Sequence, residues 1–302
     1  MIVALSGGIG GAKLALGLSH VLPPDELLIV ANTGDDFEHL GLSISPDIDT
    51  LTYALAGLDN QELGWGRRDE TWSFMETLAS IGGETWFRLG DRDLALHVER
   101  TRRLRAGESL TAITADVARR LGIGPRILPM SDDPVRTRIR SDEGWLDFQH
   151  WFVRDQTRPP VRGIEFAGAA EARPNPALLD ALLARPRAVV ICPSNPFISI
   201  EPILAVPGLR AAIAGCGAPV VAVSSIIAGQ AVKGPTARMF EQAGIGPSAA
   251  AVAARYAGLL THYVMEPGDD ATGIAAQVIR APTLMRSLED KIALARAVLA
   301  AA

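Results

Sequence analysis

Short apolar runs alternating with glycine- and aspartate-rich loops set the pattern at the amino end. Ile2 to Leu5 is apolar, Ser6-Gly7-Gly8-Ile9-Gly10-Gly11 interrupts it, and Ala12 to Leu22 carries apolar residues at helical spacing. Pro23-Pro24-Asp25 marks a turn and Leu27 to Ala31 is a second apolar run. A polar loop, Asn32-Thr33-Gly34-Asp35-Asp36, follows, and Pro46 to Leu58 reads as another helix. Strand, glycine turn, helix and strand compose a βαβ unit, which implies a parallel sheet.

The pattern changes between about residues 60 and 170. This stretch concentrates the tryptophans and predicts helices over Asp91 to Arg105 and Ser109 to Leu121. It also predicts a hairpin, Val135 to Arg140 and Trp145 to Val153 around Ser141-Asp142-Glu143-Gly144. It reads as a lid-like insertion on the sheet. Alternation then resumes, with a helix over Pro176 to Ala184, strands over Ala188 to Cys192 and Pro219 to Val223, and a helix over Pro235 to Ala243. Strands over Leu259 to Val264 and Gln277 to Arg280 and a helix over Ser287 to Ala300 complete the prediction. The expected architecture is one α/β domain across residues 1–302, with a Rossmann-like, open, mostly parallel sheet, helices on both faces and a central α+β insertion.

Composition narrows the class. The chain has 302 residues, 48% of them hydrophobic and 21% charged, which suits a folded domain rather than a disordered one. A net charge of −5 argues against a nucleic-acid binder. Two cysteines, Cys192 and Cys216, are too few for a disulfide framework, so a reducing cytoplasm is expected. The uncharged stretch Ala211 to Val232 is rich in Ala, Gly and Ser and broken by Pro219, so it reads as a helix end, a strand and a loop rather than a membrane span. Of 29 basic residues only three are lysines, and two of these, Lys13 and Lys233, fall in glycine-rich loops where a compact ammonium suits phosphate oxygens.

Five segments carry candidate chemistry. Gly7, Gly8, Gly10, Gly11 and Lys13 lie between a strand and a helix, where bare backbone and a helix N-terminus favour phosphate. This is neither a Walker loop nor a complete dinucleotide fingerprint. Asn32, Asp35 and Asp36 follow the second strand, and Asp47 and Asp49 occupy the first turn of the Pro46 helix, with Tyr53 on the same face as Asp49. Four converging carboxylates suggest a hard cation such as Mg²⁺, assigned to Asp47 and Asp49, joined by Asp35 or Asp36. In the third segment Gly90-Asp91-Arg92-Asp93 is a helix cap with Arg92 and Asp93 on a solvated face, and Arg88 is the cation of interest. Ser194, Asn195 and Pro196 form another ligand-facing strand end, and Ser224 to Pro235, with Lys233 and Gly234, is a second phosphate-capable loop. No histidine spacing suggests zinc, there is no nucleophile elbow, and His39 and His262 read as structural or surface residues.

Taken in order, SGGIGGAKLALGL (6–18), NTGDD (32–36), SPDIDTLTY (45–53), GWGRRDETW (64–72), WFRLGDRDLALH (86–97), PSNPFISIEPIL (193–204) and AVKGP (231–235) resemble the 2-phospho-L-lactate transferases of coenzyme F-420 biosynthesis. The resemblance implies a guanosine-diphosphate-activated acid as donor and the ribityl hydroxyl of the deazaflavin Fo as acceptor, with GMP released. It places Asp49 and Arg88 at Fo-binding positions, and it assigns the guanosine diphosphate to the glycine loop, Ser194-Asn195 and Lys233. A cytoplasmic homodimer is expected. Asp49 orients or deprotonates the attacking hydroxyl, and Lys13 and Lys233 offset phosphate charge. One departure stands out: this chain has Ser224-Ser225-Ile226-Ile227-Ala228-Gly229 where the family commonly has Ser-Pro-Ile-Ile-Gly-Gly. The rival readings are a regulatory nucleotide-sugar-binding protein of similar fold and an NAD-type oxidoreductase. The first has no use for the tryptophan-rich insertion, and the second needs the third glycine that this loop lacks.

Overall fold

The structure is a computed structural model that describes residues 1–61, 65–232 and 234–302. Lys233 and Gly64 lie outside the described residues. Seven strands form the central sheet: β1 (Ile2–Ser6), β2 (Leu27–Ala31), β3 (Arg126–Pro129), β4 (Ala188–Ile191), β5 (Val220–Val223), β6 (His262–Met265) and β7 (Gln277–Arg280). Their order is β7-β6-β5-β4-β1-β2-β3, and every neighbouring pair is parallel. From β1 the chain winds outward through β2 and β3, then crosses back to β4 and winds the other way. The switch point therefore falls between β1 and β4, where open α/β sheets bind their ligands.

Alternation along the strands explains the two layers. Val3, Leu5, Leu28, Val30, Val189 and Ile191 face one core, while Ile2, Ala4, Leu27, Ile29, Ala188 and Val190 face the other. A sheet buried on both faces needs unbroken apolar runs, as these strands have. The second core is covered by α1 (Gly8–Ser19), α2 (Pro46–Leu55) and the C-terminal helix Leu288–Ala300, which packs against α1. A Ser287–Asp290 capping box starts that last helix. The first core receives the helix Pro176–Leu183, the segment Phe197 to Leu209 and the fully buried Trp151.

The stretch expected as one insertion is divided. Arg126–Pro129 lies inside it yet pairs with β2 as the sheet's edge strand, and α5 (Leu110–Arg120) packs beside it. Only Ile127 and Leu128 of that strand are core residues ahead of its proline, so its apolar signal is short. What stands off the sheet is α3 (Ser73–Ser80), α4 (Asp91–Arg105) and a separate antiparallel sheet. In that sheet Arg136–Ser141 pairs with Gly144–Asp147, as the hairpin reading expects, and also with Gly163–Ala167. The second arm leaves the sheet at Asp147 because Phe148 and Trp151 turn inward to the core through the helical turn His150–Arg154. The stretch Ala211 to Val232 comprises the end of the helix Leu209–Gly215, β5 and a tight hairpin, Ile226–Ile227 with Gln230–Ala231. Among the described residues no single helix is long and apolar enough to cross a membrane.

Candidate active site

At the switch point the loops after β1 and β4 are sewn together. Gly7 N donates to Ser194 Oγ at 3.1 Å, and Asn195 Oδ1 accepts from Phe197 N, which fixes the turn behind it. Helix α1 begins at Gly8, four residues before the expected Ala12, because the glycines themselves wind into its first turn. Gly7 has no side chain to cap that turn. The Asp47 carboxylate, from the first turn of α2, does it instead by accepting from Gly8 N at 2.6 Å. Asn32 is buried at the end of β2 and donates to Asp47 Oδ2 at 2.9 Å and to Ile198 O at 3.1 Å, tying both loops to the sheet.

The glycines have different reasons. A Cβ on Gly10 would strike the Pro193 carbonyl, one on Gly11 would meet Ser6 and Ser194, and one on Gly7 would meet Asp47 and Ser199. These three let two protein walls touch. Gly8 alone takes a left-handed backbone, with φ of +61°.

A cleft of about 780 Å³ opens over this corner. Of the residues expected there, Gly7, Gly8, Gly10, Lys13, Asp35, Asp47, Asp49, Tyr53, Arg88, Ser194, Asn195 and Gly234 line it. Gly11, Asn32, Asp36 and Pro196 stand behind the wall, all four buried. Lys13 Nζ donates to Met285 O at 2.9 Å, so its ammonium is anchored at the cleft edge. Five aromatic residues also line the cleft: Trp65, Trp86, Phe87, Phe148 and Phe152. Phe148 and Phe152 are stacked with ring centres 5.4 Å apart, and the Arg88 guanidinium lies 4.1 Å over the Trp72 ring. His39 is buried in the adjoining cluster of Phe37, Trp86 and Phe87, as a structural residue should be.

The carboxylates divide into two groups. Asp35, Asp36 and Asp47 are buried, and burial pushes all three above the usual carboxylate range, Asp36 to about 7 and Asp47 to about 6. Proximity to Asp47 adds to the rise at Asp35. Asp36 Oδ2 accepts from Ser45, but Asp35 Oδ1 and Asp36 Oδ1 have no partner. Buried carboxylate oxygens without a partner suit a hard divalent cation, which would displace the protons that burial favours there.

Asp49 belongs to the other group. Arg100, on α4, grips it with both guanidinium nitrogens, one of them 3.1 Å from Oδ2. His97 Nδ1 lies 3.7 Å from the same oxygen, and His97 Nε2 lies 3.1 Å from Asp93 Oδ2. Tyr53 OH donates to Asp93 Oδ1 at 2.5 Å. Burial opposes ionisation of Asp93, but the hydrogen bond and charge of His97, with help from Tyr53, hold it below the usual range. The Tyr53 hydroxyl is pushed up by burial and by the two aspartates. Asp47 and Asp49, two residues apart in the sequence, thus serve different partners.

The α4 contribution departs from the sequence reading. Asp93 is half-buried and lines the cleft, whereas Arg92 is exposed as expected. Capping at this corner is exchanged between helices: Asp91 accepts from Ser73 N and Phe74 N at the start of α3, and Glu70 accepts from Arg92 N and Asp93 N at the start of α4. The spacing Asp93, His97, Arg100 puts three polar groups on one helical face, the signal that could have marked them.

The chain is similar to known proteins along nearly its whole length. The profile of 2-phospho-L-lactate transferase CofD matches residues 2–278. A phosphoenolpyruvate transferase of Kitasatospora aureofaciens is 41% identical over 315 aligned positions, covering 100% of this chain and 97% of its own. One from Streptomyces griseus is 40% identical, covering 98% and 96%, and one from a Mycobacterium species (strain KMS) is 37% identical, covering 94% and 93%. A crystal structure of a UPF0052-family protein from Bacillus halodurans superposes with a TM-score of 0.65 at 16% identity over 99% of both chains, a likeness of fold alone. With this sheet, this cleft and these relatives, the chain belongs to the 2-phospho-L-lactate transferase CofD family and is a transferase of phosphorus-containing groups in coenzyme F-420 biosynthesis.

Proposed function

We propose that this cleft joins a guanosine-diphosphate-linked phospho-acid to the ribityl hydroxyl of Fo, and that the acid is enolpyruvate. The observation that carries the reading is the meeting of two unlike halves in one cleft. The glycine loop, the start of α1 and Lys13 line the same cleft as Asp49, Arg88 and the aromatic residues. The first half suits a diphosphate and the second a planar ring with a hydroxylated tail. The similar proteins are phosphoenolpyruvate transferases, which favours enolpyruvate over lactate or glycerate.

In the reaction the hydroxyl oxygen forms a bond to the phosphorus bearing the acid. The bond from that phosphorus to the GMP phosphate breaks, GMP leaves with the electron pair, and the hydroxyl proton is released. Asp47 and Asp49 would hold Mg²⁺: Asp49 shares a cluster with Asp93 and His97 whose ligand atoms lie within 4.8 Å of one another, and its charge adds to the rise at Asp47. When bound there, Mg²⁺ would neutralise phosphate oxygens. Asp49 accepts a hydrogen bond from the attacking hydroxyl and aims it in line, which is the main demand of phosphoryl transfer. Lys13 and the N-terminal end of α1 offset charge on the diphosphate, and Lys233, outside the described residues, is assigned the same role. The protein is expected to act as a cytoplasmic homodimer.

Mass spectrometry of the product formed from Fo and a mixture of enolpyruvyl, lactyl and glyceryl guanosine diphosphates tests the reading. The enolpyruvyl phosphodiester is expected to dominate. A lactyl or glyceryl product overturns the acid, and no product from any donor overturns the reaction. Asp49→Asn should retain the fold and lose turnover by about 10²-fold or more.

A further inference from the structure

We propose that Arg100 is a positioning residue for this transfer: its guanidinium fork, backed by the chain His97, Asp93 and Tyr53, fixes the plane of the Asp49 carboxylate toward the attacking hydroxyl. The inference deepens the proposed function and rests on it.

Arg100 is only 2% exposed, an expensive place for a guanidinium. A pair of apolar residues could join α4 to α2 at less cost in desolvation, so the ion pair calls for a reason beyond packing. Its geometry supplies one. Both terminal nitrogens engage the two oxygens of Asp49, and one of them also reaches Ser43 O at 3.4 Å. A planar fork on a planar carboxylate removes the rotation that a single hydrogen bond would leave. A carboxylate offers about four acceptor positions, and the fork uses two. Asp49 lines the cleft, so its remaining capacity is available to a hydroxyl there.

The second support comes from His97. Its Nδ1 accepts from the Arg100 guanidinium at 3.4 Å and lies 3.7 Å from Asp49, beyond hydrogen-bond distance, while Nε2 faces Asp93 Oδ2 at 3.1 Å and Tyr53 holds the far oxygen of Asp93. Tyr53 is one helical turn from Asp49 on α2, while Asp93, His97 and Arg100 share a face of α4. The two helices are therefore cross-linked at both ends of one polar row along the cleft wall. Asp49 cannot turn away from the cleft without breaking contacts on α4.

A double-mutant cycle in the transferase assay tests the assignment, run at a temperature where melting curves show every variant folded. Arg100→Gln is expected to lower kcat by about 10- to 100-fold with the KM for the guanosine-diphosphate donor changed less than about 3-fold. Arg100→Lys restores the charge without the fork and should recover only part of that loss. The decisive reading is the double variant Arg100→Gln with Asp49→Asn, which should match Asp49→Asn alone within about 3-fold, because one function is lost once. His97→Gln leaves the ion pair in place and should lower kcat by about 3- to 10-fold without lowering the melting temperature, a measurement that stands if both Arg100 variants fail to fold. Wild-type kcat in Arg100→Gln, multiplicative losses in the double variant, or unchanged kcat in His97→Gln overturns the proposal. A wild-type enzyme that forms no phosphodiester on Fo overturns the underlying reaction as well, so the two failures are told apart.

Discussion

Gly7 offers a test in which structure and turnover should respond to different parts of one clash. Its backbone is extended, with φ of −153°, so alanine can adopt it without torsional strain. Space is the obstacle: an alanine Cβ would lie 2.6 Å from Asp47 Oδ2 and 2.6 Å from Ser199 Cβ. Non-bonded carbon atoms rest about 3.5–4.0 Å apart, so Ser199 must retreat by roughly 1 Å. Ser199 is buried in the turn Pro196–Ile200, and its Cβ moves only with its backbone. Overpacking of this kind costs about 1–3 kcal/mol. Replacing glycine removes freedom from the unfolded chain, which returns about 0.4–1 kcal/mol. The clash wins, with a net loss of about 1–2 kcal/mol. For a chain of this length that lowers the melting temperature by roughly 2–3 °C.

Turnover should suffer more than stability, because the second atom struck belongs to Asp47. That carboxylate holds Gly8 N and Asn32 and faces the cleft. Displacing such a group by an ångström costs about 10²-fold in rate. Adding Ser199→Gly to Gly7→Ala separates the effects. It removes the carbon clash and should restore most of the melting temperature, while Asp47 stays displaced and the rate stays low. Calorimetry and initial rates with saturating Fo and donor read both. A Gly7→Ala protein with wild-type melting and wild-type kcat refutes the reasoning. Recovery of both properties by Ser199→Gly refutes the part that runs through Asp47.

Ala228 takes a left-handed backbone, φ +49°, in the hairpin turn between Ile226–Ile227 and Gln230–Ala231. That conformation costs a residue with a Cβ about 1–2 kcal/mol, while glycine gives back about 0.4–1 kcal/mol through the unfolded chain, so Ala228→Gly should stabilise the protein by up to about 1 kcal/mol in urea denaturation, and a loss of stability contradicts the assignment. Burial raises Asp36 to about 7 and Asp47 to about 6, so the folded chain keeps protons that the unfolded chain releases near pH 4. Their contribution to stability is full below about pH 4 and is lost as pH rises through about 6 to 7. Mg²⁺ competes with those protons, so the rise in melting temperature on adding Mg²⁺ should be larger at about pH 7.5 than at about pH 5.5, and equal rises refute a cation at these carboxylates.

The sheet was legible because it is buried on both faces. Strands such as Ile2–Ser6 and Leu27–Ala31 must be apolar throughout, and a short apolar run between a glycine loop and a turn has few other readings. The edge strand Arg126–Pro129 breaks that rule, since its position at the margin asks less burial of it and leaves a weaker signal. The β1, β2 and β4 loops were legible for a related reason: a parallel sheet brings all strand carboxyl ends to one side, so polar residues after those strands converge wherever the chain order reverses.

What escaped was the role of each polar residue once convergence is granted. Four aspartates within fifteen positions, Asp35 to Asp49, invite a single cation site, and spacing alone does not divide them. The division comes from α4, some fifty residues later, whose Arg100 grips Asp49 and also moderates the rise at Asp36, and whose Asp93 and His97 gather ligand atoms beside Asp49. A buried arginine announces itself in a sequence only as one more charged residue on an amphipathic helix. Its partner is fixed by the packing of α4 against the loop before α2, which no local pattern encodes. The glycine loop shows the same limit in reverse. Its glycines suggest open backbone for phosphate, yet Gly7, Gly10 and Gly11 are required by contacts between protein walls, and Gly8 alone by backbone conformation. Phosphate-binding capacity at this loop therefore rests on the N-terminus of α1 and on the walls the glycines allow to meet, so substitutions that part those walls should harm transfer even where they leave every N–H in place.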